Sequence, residues 1–362
     1  MSDDELGPLR AEIDGLDGSI LELLGQRADC VKRVAEAKRR TGARTVDPER
    51  EKRVLERLVE RGAGAFPASG IVAVFREIMS ASVALQEPVT VSFLGPAGTW
   101  SHLAARTFFG FAAQYLEEAS LEGVVDAVRK GRAEFGVVPL ENSSEGPVHG
   151  ALAALLEGGC QIRRELKLPV RHCLMGKVET LSAAERVYSH PQALAQCRTW
   201  IHQNLPRAQL VHTASTAAAV REAGLDAAGV AIGSPLAGQL AGLPVLREHV
   251  QDHRQNATRF VCIGSRDAEP TGADRTTVAF RMAADSEKGS LRAMLRAFDD
   301  HGVNLTRIES RPSPDQAWRY VFVVDLDGHR LDTPIAAALA SLEGLCDQVQ
   351  LLGSYPELRL DP

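Results

Sequence analysis

The sequence predicts a chain of three successive fold classes: all-α over residues 1–87, α/β over 88–266 and α+β over 274–362. Three observations predict this. Apolar residues recur at spacings of three and four up to Gln86, the spacing of a helix stripe. From Val89 onward, short β-branched runs alternate with helical stretches, the pattern of α/β architecture. After residue 274 the elements read in the order βαββαβ. At 362 residues with 44% hydrophobic side chains, the chain is long enough to bury more than one core.

In the first segment Leu6, Leu9, Ile13, Leu16, Ile20, Leu23, Val31 and Val34 form one stripe, continuing to about Arg40. Such a helix is about 50 Å long, more than a lone domain of this size covers, so a second copy is expected to pack on it. Gly15, Gly18 and Gly25 each cost roughly 1 kcal/mol against Ala, so packing rather than propensity must hold the helix. Asp47-Pro48 reads as an N-cap followed by a first helical residue, and Gly62 as the stop of a second helix. A third helix is predicted from about Ser69 to Gln86, with Ile71, Val74, Phe75, Ile78 and Leu85 inward.

Polar residues on these apolar stripes point to a ligand, because burying unpaired charge is costly. Arg27 and Lys38 lie about three turns apart on one side of the first helix, and Ser82 and Gln86 one turn apart on the third. Arg10 lies about 100° round the helix from Arg27, so it can join the same pocket only across a dimer. Between Arg27 and Arg61 twelve Lys and Arg stand against seven Asp and Glu, although the whole chain carries a net charge of -6. Anion recognition is therefore local, and no global attraction for nucleic acid exists.

The set Leu9-Arg10, Ile13, Arg27, Lys38, Asp47, Arg50-Glu51, Ser82 and Gln86 resembles the AroQ-type chorismate mutases. The resemblance implies an all-α helical dimer with two shared sites. It implies that Arg10 of one chain and Arg27 of the other bind the carboxylates of chorismate, while Lys38 and Gln86 donate to the ether oxygen as charge develops there. It further implies that Asp47, Arg50, Glu51 and Ser82 position the ring hydroxyl and a carboxylate. A [3,3] rearrangement needs only a compact conformer and well-aimed donors.

In the second segment, strands are predicted at 90–94, 134–139, 160–168, 170–175, 208–212, 229–232 and 259–264, and helices near 101–109, 121–130, 148–157, 191–204, 215–223 and 234–241. Two lobes with a ligand cleft between them follow from this order. The turn Gly95-Pro96-Ala97-Gly98 offers backbone N–H groups for an anion but lacks a nucleotide-loop motif. His249 and His253 flank Asp252 without a convergent third ligand, which disfavours a metal.

The runs Gly95 to His102, Val138 to Ser144, Ser189-His190-Pro191-Gln192, Thr213-Ala214-Ser215-Thr216 and Asn256-Ala257-Thr258-Arg259-Phe260 together resemble prephenate dehydratase, in that family's order. Trp100 stands where Phe or Tyr is more usual. The resemblance implies a two-lobed fold akin to periplasmic binding proteins, with Thr258 catalytic and Asn142, Ser143, His190, Gln192, Ser215 and Thr216 contacting prephenate. Arg259 is expected to hold a substrate carboxylate. No cofactor is implied. The rival reading is a mutase fused to a non-catalytic amino-acid sensor.

In the third segment, Gly289-Ser290-Leu291-Arg292 and Glu309-Ser310-Arg311-Pro312 resemble the effector motifs of the ACT domain of phenylalanine-regulated dehydratases, a ferredoxin-like fold. Ser290 and Arg292 replace the commoner Ala and Val. The resemblance implies phenylalanine as an allosteric inhibitor. An acidic N-terminus, no apolar run expected to span a bilayer and six scattered cysteines complete the expectation of a cytoplasmic enzyme with no membrane partner.

Overall fold

Long-range pairing, rather than the local periodicity of the first 87 residues, governs most of the chain. The computed structural model describes residues 3–41, 48–253, 255–282, 289–313 and 319–358, so Asp47 lies outside the described residues. The chain folds as two compact units: residues up to Val89 with the loop Phe109–Gln114, and the remainder.

The first unit is three helices, α1 (Asp3–Thr41), α2 (Pro48–Arg61) and α3 (Ala68–Gln86), with α3 packed on both others. Apolar periodicity sets α1, but its stripe is largely uncovered: Leu9, Ile13, Leu16, Ile20 and Leu23 are each more than half exposed. A Cβ added at Gly15, Gly18 or Gly25 would meet nothing within 4 Å. Against the sequence expectation, α3 is long and apolar enough to cross a bilayer by length and composition. It carries Arg76 and Glu77, and Ile71, Val72 and Ser82 are buried within the unit. The loop 109–114 joins this unit through Glu77, whose carboxylate accepts Phe111 N–H at 2.9 Å, and Ser80, which donates to Phe109 O at 2.5 Å.

The second unit begins with β1 (Thr90–Leu94), α4 (Trp100–Phe109), β2 (Gln114–Glu118), α5 (Leu121–Arg129), β3 (Phe135–Asn142), β4 (Gly146–Pro147), α6 (Ala151–Leu156) and β5 (Gln161–Pro169). The chain then builds a second lobe: β6 (Cys173–Gly176), β7 (Arg186–Ser189), α7 (Pro191–Gln196), α8 (Arg198–Asn204), β8 (Gln209–His212), α9 (Thr216–Leu225), β9 (Gly229–Gly233), α10 (Pro235–Ala241) and β10 (Val245–Arg247). It returns to the first lobe as β11 (Ala257–Gly264). The predicted helix 191–204 is two helices, because Cys197 leaves helical geometry and Asp252 caps the second by accepting Thr199 and Trp200 N–H.

The C-terminal elements are β12 (Asp274–Met282), α11 (Ser290–Asp299), β13 (Leu305–Pro312), β14 (Tyr320–Asp327), α12 (Thr333–Glu343) and β15 (Cys346–Leu358). They do not form a separate sheet. The end of β15 pairs in parallel with β5, Glu357 against Glu165 and Leu358 against Leu166. The result is one ten-stranded sheet, ordered β13-β14-β12-β15-β5-β11-β3-β1-β2 with β4 on β3. The second lobe has its own five-stranded sheet, β10-β6-β9-β7-β8. The first-lobe core, with Val138, Ile162 and Val261, is continuous with Ala279, Val323, Leu352 and Tyr355 of the C-terminal elements.

Candidate active sites

In the helical unit, α1 and α3 bring Arg27 to Ser82, to whose hydroxyl Arg27 donates, and the Ser82 hydroxyl in turn donates to Ile78 O at 2.6 Å. Burial lowers the Arg27 pKa, the signature of a cation held away from water. Gln86 donates to Ser82 O at 3.2 Å, while its buried Oε1 has no hydrogen-bond partner among the described residues. Lys38 and Glu51 are half-buried, Arg50 and Arg10 exposed. Arg10 is not brought to Arg27 in one chain: on the continuous α1 their seventeen-residue separation is about 25 Å.

In the α/β unit, β3 and β11 run antiparallel with Asn142 opposite Thr258 and Glu141 opposite Arg259. Successive side chains point to opposite faces, so the first pair looks one way and the second the other. Asn142 Oδ1 accepts two backbone N–H groups, Ser144 at 2.9 Å and Glu145 at 3.2 Å. That fixes its amide, so Nδ2 donates to Thr258 Oγ1 at 3.0 Å and to Asn256 Oδ1 at 2.9 Å. Thr258 therefore accepts from Asn142 and keeps its own proton to donate elsewhere. Asn256 Nδ2 continues the chain to Gln196 Oε1 at 3.1 Å, and Gln196 Nε2 ends it on Glu145 at 2.8 Å. Gln192 also donates to Glu145. This joins the first-lobe turn after β3 to α7 of the second lobe.

His172, 2% exposed, shares Gln196 Oε1 at 3.0 Å. Since an amide oxygen only accepts, Nε2 carries the proton, and the buried Nδ1 has no partner among the described residues. Burial lowers the His172 pKa, opposed by the bond to Gln196. Trp100 packs edge-on against it with centroids 5.6 Å apart. Glu145, His172 and Gln196 escaped the sequence reading because their roles depend on contacts between lobes. Gln196 carried one usable signal, standing one helical turn after Gln192.

The other predicted positions divide by role. Ser143 exchanges hydrogen bonds with the Gln255–Ala257 backbone and fixes the turn beside Asn142. His190 and Ser215 cap α7 and α9, accepting from Gln192 N and Ala218 N, and Thr216 is the first residue of α9. The turn at Gly95–Gly98 is not an open anion cradle: Ala97 N–H goes to Glu117 and Gly98 N–H to His102 Nδ1. Burial, with Arg106, lowers the His102 pKa to about 4, so this acceptor is neutral. Gly98 is required, since its φ is +90° and a Cβ would lie 3.0 Å from Ala237 Cα.

Arg259 corrects an expectation. It faces away from Thr258 and is buried in a closed network, donating to Glu165 at 2.8 Å, Asp325 at 2.6 Å and Tyr355 at 3.1 Å. No donor remains aimed at a substrate on the Thr258 face. Thr277 bonds both Asp325 and Tyr355, and Arg275 takes the second Glu165 oxygen at 2.5 Å. Burial opposes the Arg259 charge, but Tyr355, Asp325 and Glu165 outweigh it and raise its pKa. Burial, then Asp325, also raises that of Tyr355, which stays a protonated donor.

Of the predicted effector residues, Gly289 caps α11 with φ +97°, Ser290 opens that helix and Leu291 is partly exposed. Glu309 accepts from Arg311 at 2.5 Å and from Arg307, while Ser310 and Pro312 are exposed on the alternate face of β13. Arg307 also reaches Glu141 of β3 at 3.0 Å.

The geometry is that of a two-lobed α/β enzyme in which an asparagine amide holds a threonine hydroxyl, sharing its sheet with a βαββαβ module and carrying a helical N-terminal unit. Family models agree in order: chorismate mutase type II over residues 9–87, prephenate dehydratase over 91–268 and ACT domain over 278–344. A bifunctional chorismate mutase/prephenate dehydratase of Aquifex aeolicus is 40% identical over 361 residues, 99% of each chain. A prephenate dehydratase from Arthrobacter aurescens, solved in complex with L-Phe, is 38% identical with a TM-score of 0.67, covering 75% of this chain and 91% of its own. A quorum quenching acylase, GqqA, is 33% identical with a TM-score of 0.68, over 75% of this chain and all of its own. The chain belongs to the bifunctional chorismate mutase/prephenate dehydratase family.

Proposed function

We propose that the chain converts chorismate to prephenate in the helical unit and prephenate to phenylpyruvate, carbon dioxide and water at the Thr258 centre, under inhibition by phenylalanine. Fold alone does not choose an activity, since an acylase shares it, so the site must. The observation that carries the reading is the fixed Asn142 amide, which makes Thr258 an acceptor from the protein and frees its proton for the substrate. As the bond from the ring to its carboxylate breaks, that electron pair completes the aromatic ring and the ring hydroxyl departs. Thr258 donates to the departing oxygen, which leaves as water, and a solvent proton restores the Thr258 hydroxyl. Neither step requires a cofactor or metal.

For the mutase, Arg27 held by Ser82 supplies one carboxylate clamp, with Lys38 and Gln86 as donors to the ether oxygen. Asp47, Arg50 and Glu51 serve the ring hydroxyl and a carboxylate. Arg10 of a second copy completes the site, and the uncovered α1 stripe is the surface on which that copy docks, giving a homodimer. Six unbridged cysteines accord with a cytoplasmic setting. Phenylalanine binds at the region of Gly289–Leu291 and Glu309–Pro312 and acts by favouring a less active arrangement. The test is to supply chorismate to the purified chain at neutral pH. Phenylpyruvate is expected; accumulation of prephenate alone would favour a sensor in place of the second enzyme.

A further inference from the structure

The ribbon formed by β3 and β11 has two faces that meet different parts of the molecule. On one face Asn142 and Thr258 form the dehydratase pair. The neighbouring pair, Glu141 and Arg259, projects to the other, where both side chains are held by C-terminal residues: Glu141 by Arg307 of β13 at 3.0 Å, Arg259 by Asp325 of β14 at 2.6 Å. Arg307 simultaneously donates to Glu309, which Arg311 also holds. The guanidinium of Arg307 thus stands between an effector-motif carboxylate and a carboxylate one residue from Asn142.

We propose that Glu141 and Arg259 are positioning residues of the dehydratase centre, through which the C-terminal module sets Asn142 and Thr258 from behind. This rests on the dehydratase and phenylalanine reading above. The two links are of different kinds. Arg259–Asp325 is buried on both sides, with Glu165 and Tyr355 completing it, and acts as a fixed anchor. Glu141–Arg307 is partly exposed, with side-chain exposures of 36% and 16%, and Arg307 holds Glu309 as a second, competing partner. A ligand that draws Glu309 or Arg311 changes how Arg307 divides itself between the two carboxylates. Any pull on Glu141 moves the backbone that carries Asn142, whose amide aligns the Thr258 hydroxyl. Effector and substrate are then linked by differential contacts in two states, as coupling requires.

The test compares the full-length chain with Glu141→Gln, which keeps the side-chain shape and removes the charge without touching the effector motif. Expected for Glu141→Gln are mutase activity and phenylalanine affinity within about twofold of the unsubstituted chain, and a prephenate KM also within about twofold. The dehydratase kcat falls about threefold to tenfold, and the degree of inhibition at saturating phenylalanine falls about tenfold. Glu141→Asp, which keeps the charge, restores at least half of the inhibition. A role only in stability would leave the inhibition ratio unmoved. If Glu141→Gln is inhibited as fully as the unsubstituted chain, the inference is overturned while the dehydratase reading stands. If the unsubstituted chain turns over prephenate but ignores phenylalanine, the regulatory reading falls and the inference with it. Asp325→Asn serves as the second variant should Glu141→Gln fold poorly, and unaltered kcat and inhibition there overturn the anchor.

Discussion

The helical unit and the α/β unit solve the same problem, holding polar groups ready for a ligand, in opposite ways. In the helical unit the groups ride on regular helices, the apolar stripe remains on the surface, and Arg10 and Arg27 sit about 25 Å apart on one rod. In the α/β unit Asn142 and Thr258, separated by 116 positions, are locked by a chain of amides whose orientations are dictated from two backbone N–H groups onward. One set of groups is spaced along a single helix; the other is assembled by pairing distant segments of the chain. A local pattern places the first set, whereas the second demands long-range pairing.

The sharpest way to break this contrast is to remove the Thr258 hydroxyl. Thr258→Val should lower dehydratase kcat on the order of 100-fold to 1000-fold with mutase activity intact. Dehydratase rates near the starting value would remove Thr258 from the chemistry. A smaller effect, on stability, separates Arg259 from its neighbour. Arg259→Met strands Glu165 and Asp325 in the shared interior and should destabilise the α/β unit by about 3–5 kcal/mol, read as a lower urea midpoint. An unchanged midpoint would mean that the network does not join the C-terminal module to the first lobe.

The same contrast explains what the sequence disclosed. The three N-terminal helices follow from apolar spacing, and Arg27, Ser82 and Gln86 stand out there because they are polar residues on apolar stripes. The strands β2, β7 and β10 carry little such pattern. Val245 and Arg247 of β10 are exposed, for example, and the lobe is built by pairing rather than alternation. The Thr258 motif was legible, but the two faces of its strand were not. Arg259 reads as a substrate ligand until β5, β14 and β15 are seen to supply its partners, 94, 66 and 96 positions away. The pairing of β15 with β5 leaves no periodic signal either, so one sheet reads as two domains.

The central claim is that one chain carries two separable chemistries, and a mixing experiment tests it most directly. Chorismate is supplied at neutral pH to Arg27→Gln, to Thr258→Val, and to equal amounts of both. The account predicts that Arg27→Gln leaves chorismate unused, Thr258→Val stops at prephenate, and the mixture yields phenylpyruvate. Loss of prephenate formation in Thr258→Val, or a mixture that makes prephenate but no phenylpyruvate, would contradict it.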